Sequence, residues 1–183
     1  MGNLLGDFRH GVEIRRLPPA VRNGLRNHLA VDAFTDHHPA IRQARARFSP
    51  RRRRFAGVAL DVLFDHLLIR HWTDFATEPL DAWLEELHAD LSAARPWMPQ
   101  AMAETTARIV TGDWFRSYAD LDNVGQALDR VADRIRFANR FDGMIEEIRL
   151  HESALEAAFL AFFPDLVRHV EQLGIEGGSP CRP

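Results

Sequence analysis

Apolar residues recur at three- and four-residue intervals along most of the chain, which is the spacing of one face of an α-helix. Alternating apolar and polar stretches, which would indicate strands, are hard to find, and runs of β-branched residues are scarce. Prolines stand between the apolar segments, where they begin or end helices. The pattern predicts helices over residues 3–10, 19–34, 39–48, 52–72, from 79 onward, 100–111, 120–137 and 141–173.

The helix predicted over residues 52–72 is so apolar that it leaves little polar surface, so we expect it at the centre of a bundle. In the helix predicted over residues 19–34, Leu25, Leu29 and Val31 are expected to face inward. Pro164 is expected to kink or divide the helix predicted over residues 141–173, because proline lacks the N–H that a helix interior uses.

These elements predict one all-α domain, a single helical bundle over residues 1–173. Residues 174–183 are rich in glycine and proline and are expected to form a disordered tail. The 183 residues are 46% hydrophobic and 27% charged, as in an ordinary globular protein, which excludes a disordered or collagen-like chain.

Cysteine usage and hydropathy exclude two further classes of protein, disulfide-stabilised proteins and membrane-spanning ones. Cys181 is the only cysteine, so the domain has no disulfide framework and no cysteine nucleophile. No segment approaches the roughly 18 apolar residues of a membrane helix, and the first residues do not resemble a secretory signal. We therefore expect a cytoplasmic protein without a membrane partner.

The net charge of -3 hides an uneven distribution. Residues 1–54 contain twelve arginines and four acids, a balance of +8, whereas the rest of the chain is strongly acidic. The arginines are densest over residues 51–54, where Arg51, Arg52, Arg53 and Arg54 follow one another. Such a run is either a solvated helix start or a docking surface for an acidic partner, protein or nucleic acid.

Candidate chemistry begins with the acids near His28. His28, Asp32 and Asp36 are spaced by four residues, which places them on one face of a helix. His28 and Asp32 are able to share a metal, to pair so that the acid orients the imidazole, or to form a salt-bridged surface. Asp36 is alternatively the N-cap of the next helix. Asp7 closes an apolar stretch and is either a surface residue or part of this chemistry.

A second group lies in the predicted central helix, where Asp61 and Asp65 are one turn apart and His66 follows. Carboxylates buried in an apolar helix need a metal, arginines or hydrogen bonds. Pairing with Arg70 or with the arginines of residues 51–54 is one reading. A divalent metal is the other, and mixed carboxylate and imidazole ligands suit Mn²⁺, Fe²⁺ or Zn²⁺ better than Ca²⁺.

No competing catalytic motif is present: the chain has no Gly-x-Ser-x-Gly elbow, no P-loop and no Cys-x-x-Cys pair. Taken together, three sequence blocks and one further residue pair resemble the acyl carrier protein phosphodiesterase family, the holo-[acyl carrier protein] hydrolases. The blocks are Gly2-Asn3-Leu4-Leu5-Gly6-Asp7-Phe8, His28-x-x-x-Asp32-x-Phe34-Thr35-Asp36-x-His38-Pro39, Leu60-Asp61-Val62-x-x-Asp65-His66-x-Leu68 and His71-Trp72. A weaker similarity continues to about Pro164, so the resemblance covers most of the chain.

The resemblance implies a helical, divergent relative of the HD-type metal phosphohydrolases. It implies hydrolysis of the phosphodiester that joins 4′-phosphopantetheine to a serine of holo acyl carrier protein. Manganese is the metal that it implies first, with Fe²⁺, Mg²⁺ and Zn²⁺ as alternatives. By motif position, the expected metal ligands are Asp7, His28, Asp32, Asp65 and His66, and the expected catalytic acids are Asp61 and Asp36.

Two features depart from the family pattern. Leu29-Ala30 stand where family members carry two basic residues. The family's His-Leu-His-Leu stretch, which precedes the Gly-Asn-Leu-Leu block, has no counterpart in the printed sequence, so the expected site rests on the residues named above.

The expected mechanism is attack on phosphorus by a metal-bound hydroxide, with Asp61 or Asp36 taking or orienting the proton of the water. An arginine and the metal would stabilise the developing charge. Carrier proteins are strongly acidic, so residues 51–54 would guide their approach, and no nucleic acid is expected. The alternatives are a related phosphohydrolase acting on a nucleotide or small phosphodiester, and a non-catalytic, arginine-rich binding module.

Overall fold

The computed structural model describes residues 1–135 and 141–177. These residues form ten α-helices and four short 3-10 helices, and no strand occurs among them, which confirms the all-α class. The α-helices are α1 (Pro19–His37), α2 (Pro39–Arg47), α3 (Ala56–Arg70), α4 (Trp72–Phe75), α5 (Leu80–Ala94), α6 (Gln100–Gly112), α7 (Trp114–Ser117), α8 (Leu121–Arg134), α9 (Met144–Leu150) and α10 (Glu152–Leu173). The 3-10 helices are Leu4–Phe8, Ile14–Arg16, Arg53–Phe55 and Arg95–Trp97. The HD-type relationship is finer than the all-α class and stays a prediction.

The predicted helices differ from the observed ones mainly where no proline or glycine marks a boundary. The segment predicted as one helix over residues 141–173 is two helices, α9 and α10, separated at His151. Pro164 lies inside α10 and does not divide it. The end of the helix predicted over residues 120–137 lies outside the described residues, since α8 ends at Arg134 and the description stops at Ile135.

The chain contacts group into two compact units, each built from separate segments. Unit 1 comprises Met1–Thr35, Thr73–Trp114 and Asp165–Pro183, and unit 2 comprises Asp36–Trp72 and Phe115–Pro164. The predicted domain over residues 1–173 stays a prediction. Of the predicted tail, residues 178–183, with Cys181, lie outside the description. Searched over the described part of the chain, no helix has the length and apolar content that crossing a membrane requires.

Unit 1 is organised around α1 and the loop that precedes it. The 3-10 helix Leu4–Phe8 packs against α6, and Leu5 is completely buried. On α1 the buried residues are Gly24, Leu25 and Asn27, whereas Leu29 is 42% exposed. The expectation that Leu29 faces inward is therefore wrong, because the preceding loop covers the side of the helix that carries Gly24.

Unit 2 is organised around α3, which packs against α2 and α8, while α8 also packs against α9. The leucines of α3 that are almost fully buried are Leu60, Leu63 and Leu67. Phe64 adds aromatic contacts with Phe159 and Phe162, at centroid distances of 5.2 and 5.8 Å. Burying several such side chains, each worth about 1.5–3 kcal/mol, is what fixes α3 in the unit.

A half-buried carboxylate ties the turn after α2 to α9. Glu147 accepts hydrogen bonds from the backbone N–H and the hydroxyl of Ser49, both at 2.8 Å, and from Arg52 Nη1 at 3.3 Å. Arg52 Nη2 also donates to the carbonyl of Asp142 at 2.6 Å. Burial alone would raise the pKa of Glu147, but the hydrogen bonds from Ser49 and Arg52 outweigh it and hold the pKa below its usual value.

We predict that Glu147→Gln lowers the free energy of unfolding at pH 7 by about 1–3 kcal/mol, because charge-assisted hydrogen bonds are lost. Since the pKa of Glu147 is lower in the folded state, its contribution is present above the unfolded pKa and is lost as pH falls through the folded pKa. Urea unfolding at pH 7 and at decreasing pH below 4.5 measures both effects.

Glu146→Gln is the matched control, since Glu146 is exposed on the same helix and should change stability little. A wild-type advantage over Glu147→Gln that stays constant down to pH 3 would contradict the assignment.

Candidate functional site

The imidazole of His66 is buried and held in one orientation by unit 2. His66 is 7% exposed, and its Nδ1 lies 2.6 Å from the carbonyl oxygen of Tyr118. Because a carbonyl only accepts, Nδ1 carries the hydrogen and donates it. In the neutral ring, Nε2 therefore keeps its lone pair and is available to bind a metal or a proton.

His66 opens onto a cavity of about 620 Å³. The lining residues come from α3, α8, the start of α10 and the turn before α8: His66, Ile69, Arg70, Ala119, Asp120, Leu121 and Glu152. Arg70 Nη1 lies 3.1 Å from Glu152 Oε1, and Arg70 Nε lies 3.7 Å from Glu156. The cavity thus combines a buried imidazole with a positioned guanidinium, a group that binds phosphate oxygens well.

Asp65 precedes His66 on α3, and its carboxyl is poorly solvated although the residue keeps part of its surface. Burial, and then the charge of Asp61, raise the pKa of Asp65 to about 7. The charge of Asp65 in turn adds to the effect of burial in raising the pKa of Tyr118, against a smaller lowering by Arg130. Asp61 and Asp65 are thus electrostatically coupled on α3, and Tyr118 stays a neutral phenol near them.

The expectation that both acids of α3 are buried is half right, because Asp61 is exposed. Asp61 stands four residues before Asp65, so the same helix face runs from solvent at Asp61 towards the interior at Asp65. Of the arginines expected to pair with these acids, Arg70 bonds to Glu152 and Arg52 bonds to Glu147.

The three acidic and imidazole candidates of unit 1 are Asp7, His28 and Asp32. His28 Nε2 lies 3.1 Å from Asp32 Oδ2, so these two side chains do pair across one turn of α1. A Cβ on Gly6 would lie 2.0 Å from His28 Cδ2, which shows how closely the segment before α1 covers the imidazole. We call this segment, residues 1–18 with their two 3-10 helices, the first loop. Asp7 follows on that loop and is exposed.

Asp36 belongs to unit 2 and lies near the end of α1, where Arg45 Nη2 donates to its Oδ1 at 2.7 Å. The alternative that Asp36 caps the next helix is wrong. The N-cap of α2 is His38, whose Nδ1 accepts from the backbone N–H of Ala40 at 3.3 Å, because α1 continues through Asp36 to His37.

The donor types of both units suit a divalent cation, since they are carboxylate oxygens and imidazole nitrogens. Within either unit taken by itself, however, no three His, Asp or Glu side chains among residues 1–135 and 141–177 lie together as a ligand set. The assignment of Asp7, His28, Asp32, Asp65 and His66 as metal ligands therefore stays a prediction.

The four arginines of residues 51–54 divide into two kinds. Arg52 bonds to Glu147, and Arg53 donates to the carbonyls of Phe48 and Ala46, each at 3.3 Å, so both stabilise their own unit. Arg51 is exposed, and Arg54 is exposed with its guanidinium 4.5 Å from the ring centroid of Phe55. Arg53 is exposed as well, but its guanidinium bonds to backbone carbonyls, so the outer pair, Arg51 and Arg54, is the better test of a partner contact.

Sequence reasoning missed the carbonyl of Tyr118 as the partner of His66, and it missed Asp120 and Glu152 beside the cavity. Tyr118 is 52 residues from His66 along the chain, and Glu152 is 82 residues from Arg70. No local spacing signals such contacts, which arise only when α3, α8 and α10 pack.

Residues 1–166 match the sequence profile of a family described as acyl carrier protein phosphodiesterase. The chain belongs to the acyl carrier protein phosphodiesterase family. Proteins named acyl carrier protein phosphodiesterase from Salmonella agona (strain SL483) and Salmonella newport (strain SL254) are each 32% identical to it over 167 residues. The aligned region covers 91% of this chain and 86% of each relative. No solved structure matches the chain. The resemblance found in the sequence is thus confirmed across nearly the whole chain.

In this family member we predict that Asp65→Asn raises thermal stability in EDTA at pH 8. The pKa of Asp65 is raised on folding from 3.8 to about 7, so ionised Asp65 costs the folded state free energy that the amide does not. The expected gain is about 1–3 kcal/mol, which corresponds to roughly 2–4 °C per kcal/mol in a chain of this size.

Calorimetry from pH 4 to pH 8 should show the advantage of Asp65→Asn growing between the unfolded pKa of 3.8 and the folded pKa of about 7, and levelling off above it. Asp61→Asn, at the exposed position of the same face, should give a smaller gain. A variant Asp65→Asn that melts below wild type at pH 8 would show that the carboxylate is stabilised rather than strained by its surroundings.

Proposed function

We propose that the chain hydrolyses the phosphodiester between 4′-phosphopantetheine and the serine of holo acyl carrier protein. The products would be apo carrier protein and the free prosthetic group. The observation that carries the proposal is the family match over residues 1–166, together with relatives that bear this name. The cavity beside His66 and Arg70 supports it, because it offers groups for proton transfer and for phosphate binding.

In this proposal Arg70 binds the phosphate oxygens and stabilises the charge that develops on them. Its guanidinium is positioned by Glu152, so less side-chain entropy is lost when substrate binds. His66, oriented by the Tyr118 carbonyl, presents Nε2 to the same cavity.

The attacking water needs a base, and Asp61 and Asp36 are the acids proposed to take or orient its proton. Asp36 is engaged by Arg45, so the proposal gives it a supporting role. Asp61 lies one turn from Asp65 on the helix that also carries His66, so it is the preferred acceptor.

We further propose that activity depends on a divalent ion, with Mn²⁺ first and Fe²⁺, Mg²⁺ or Zn²⁺ as alternatives. Asp65 and His66 are the proposed ligands of unit 2, and Asp7, His28 and Asp32 those of unit 1. When bound, such an ion lowers the pKa of a coordinated water and neutralises phosphate charge. The support is the donor types, carboxylate oxygens and imidazole nitrogens, which suit these cations.

The direct test is incubation of the full chain with holo acyl carrier protein and Mn²⁺, with intact mass read for loss of the prosthetic group. We expect conversion to the apo form, no conversion in EDTA, and a decrease in kcat/KM of at least about 10²-fold for His66→Ala and Asp65→Asn. His10→Ala is the matched control, because His10 is exposed and is given no role here.

Cleavage of small phosphodiesters without cleavage of the holo carrier would reassign the substrate class. Binding of the carrier without metal-dependent turnover would contradict the hydrolase and indicate a binding module.

We propose that Arg51 and Arg54 guide the acidic carrier protein to the site. Arg51→Ala with Arg54→Ala should raise KM several-fold at low salt and leave kcat unchanged, and the difference should shrink as salt screens the charges. The inner pair, Arg52 and Arg53, is unsuitable for this test because its replacement also removes internal hydrogen bonds.

The matched control is Arg108→Ala with Arg134→Ala, which removes two exposed arginines from the acidic part of the chain. The docking role is wrong if the KM of the Arg51 and Arg54 variant equals that of wild type at both salt concentrations.

A further inference from the structure

In unit 1, two side-chain amides hold the carboxylate of Glu176. Asn3 Nδ2 donates to both carboxylate oxygens, at 3.1 and 3.2 Å, and Asn27 Nδ2 donates to one of them at 3.2 Å. Asn27 Nδ2 also donates to Asn3 Oδ1 at 3.1 Å, which fixes the two amides against each other. We call Asn3 and Asn27 the amide cradle. It binds an oxyanion through uncharged donors.

The cradle exists because the first loop lies directly on α1. A Cβ on Gly24 would be 2.8 Å from the Cα of Gly2, 2.9 Å from the backbone N of Asn3 and 3.0 Å from Glu176 Oε1. Only hydrogen fits at Gly24, so the glycine lets the loop bring Asn3 within reach of Asn27. The same loop touches His28, since a Cβ on Gly6 would overlap its ring, and the cradle therefore lies beside a predicted metal ligand.

One atom of the cradle is unsatisfied when Glu176 occupies it. Asn27 is 9% exposed, and no donor among the described residues reaches its buried Oδ1. Turning the amide over is unfavourable, because Oδ1 would then face the oxygens of Asn3 and Glu176. A carboxylate has only acceptors, so Glu176 leaves this acceptor without a partner. A ligand that accepts from Nδ2 and donates an O–H to Oδ1 would satisfy both polar atoms of the Asn27 amide.

We propose that the amide cradle is a binding site for a phosphate group that retains an O–H, as in a phosphate monoester or hydrogen phosphate, and that Glu176 occupies the site in its absence. A phosphate monoester is partly protonated near neutral pH, whereas sulfate and carboxylates carry no proton there. A phosphodiester has no O–H on phosphorus. If the proposed function holds, the released 4′-phosphopantetheine is the monoester, and the cradle retains product rather than substrate; only this step rests on the proposed function.

Glu176 is suited to act as a displaceable occupant. It lies just beyond the end of α10, so holding it in place costs the conformational entropy of the turn that follows the helix. A tethered group competes with an effective concentration on the order of millimolar. Removal of the carboxylate should therefore expose the cradle and tighten phosphate binding.

The test is isothermal titration of the full chain with inorganic phosphate and, separately, with sulfate. Glu176→Ala should lower the Kd for phosphate roughly threefold to tenfold, as expected when a tethered competitor is removed. Glu171→Ala, which removes an exposed carboxylate from the last turns of α10, is the matched control and should leave Kd at the wild-type value. Phosphate should bind more tightly than sulfate to every variant that keeps the cradle.

Asn27→Asp should abolish phosphate binding, because a carboxylate there repels the ligand. If that variant does not fold, Asn3→Ala at the exposed position provides the same test with a smaller loss. An unchanged phosphate Kd in Glu176→Ala, or equal affinities for phosphate and sulfate, would overturn the proposal and make the Glu176 contact a structural one. These measurements need no turnover, so phosphate binding without hydrolysis of the holo carrier would contradict the proposed function alone.

Discussion

Burial of the apolar face of α3 is the interaction on which the arrangement of unit 2 depends. Helix α3 must bury Leu63 and Leu67 to hold the unit together, and the same burial draws Asp65 away from water. The free energy of apolar burial therefore offsets the cost of keeping an acid where it is poorly solvated. Strongly shifted pKa values cluster at functional sites, so this group is a candidate for the chemistry proposed above.

Unit 1 differs from unit 2 in where its polar candidate residues lie. They lie where a loop covers a helix, not between two packed helices. Two glycines, Gly2 and Gly24, allow backbone to approach backbone, and the amides of Asn3 and Asn27 supply the hydrogen bonds that this contact needs. A polar contact of this kind is directional, so it fixes the position of the loop more narrowly than apolar packing would. His28 lies under the same loop, so the position of its imidazole is fixed by the same contact.

The all-α class and the existence of α3 follow from the spacing of apolar residues, because a 3.6-residue period is a local property. The His28–Asp32 pair was predictable for the same reason, as both lie on one turn of α1. The break at His151 was not predictable, since neither proline nor glycine marks it, and neither was the outward face of Leu29. The orientation of His66 and the position of Arg70 depend on residues far along the chain, so the periodicity of the sequence could not predict either of them.

The division of residues 51–54 into an inner and an outer pair of arginines has a consequence for the evolution of the sequence. Arg52 and Arg53 serve folding, while Arg51 and Arg54 carry charge into the solvent. Replacing the exposed Arg51 is therefore expected to change stability little, whereas replacing Arg54 also removes its contact with the ring of Phe55. If the outer pair guides the partner as proposed, recognition and stability are able to change separately within four consecutive residues.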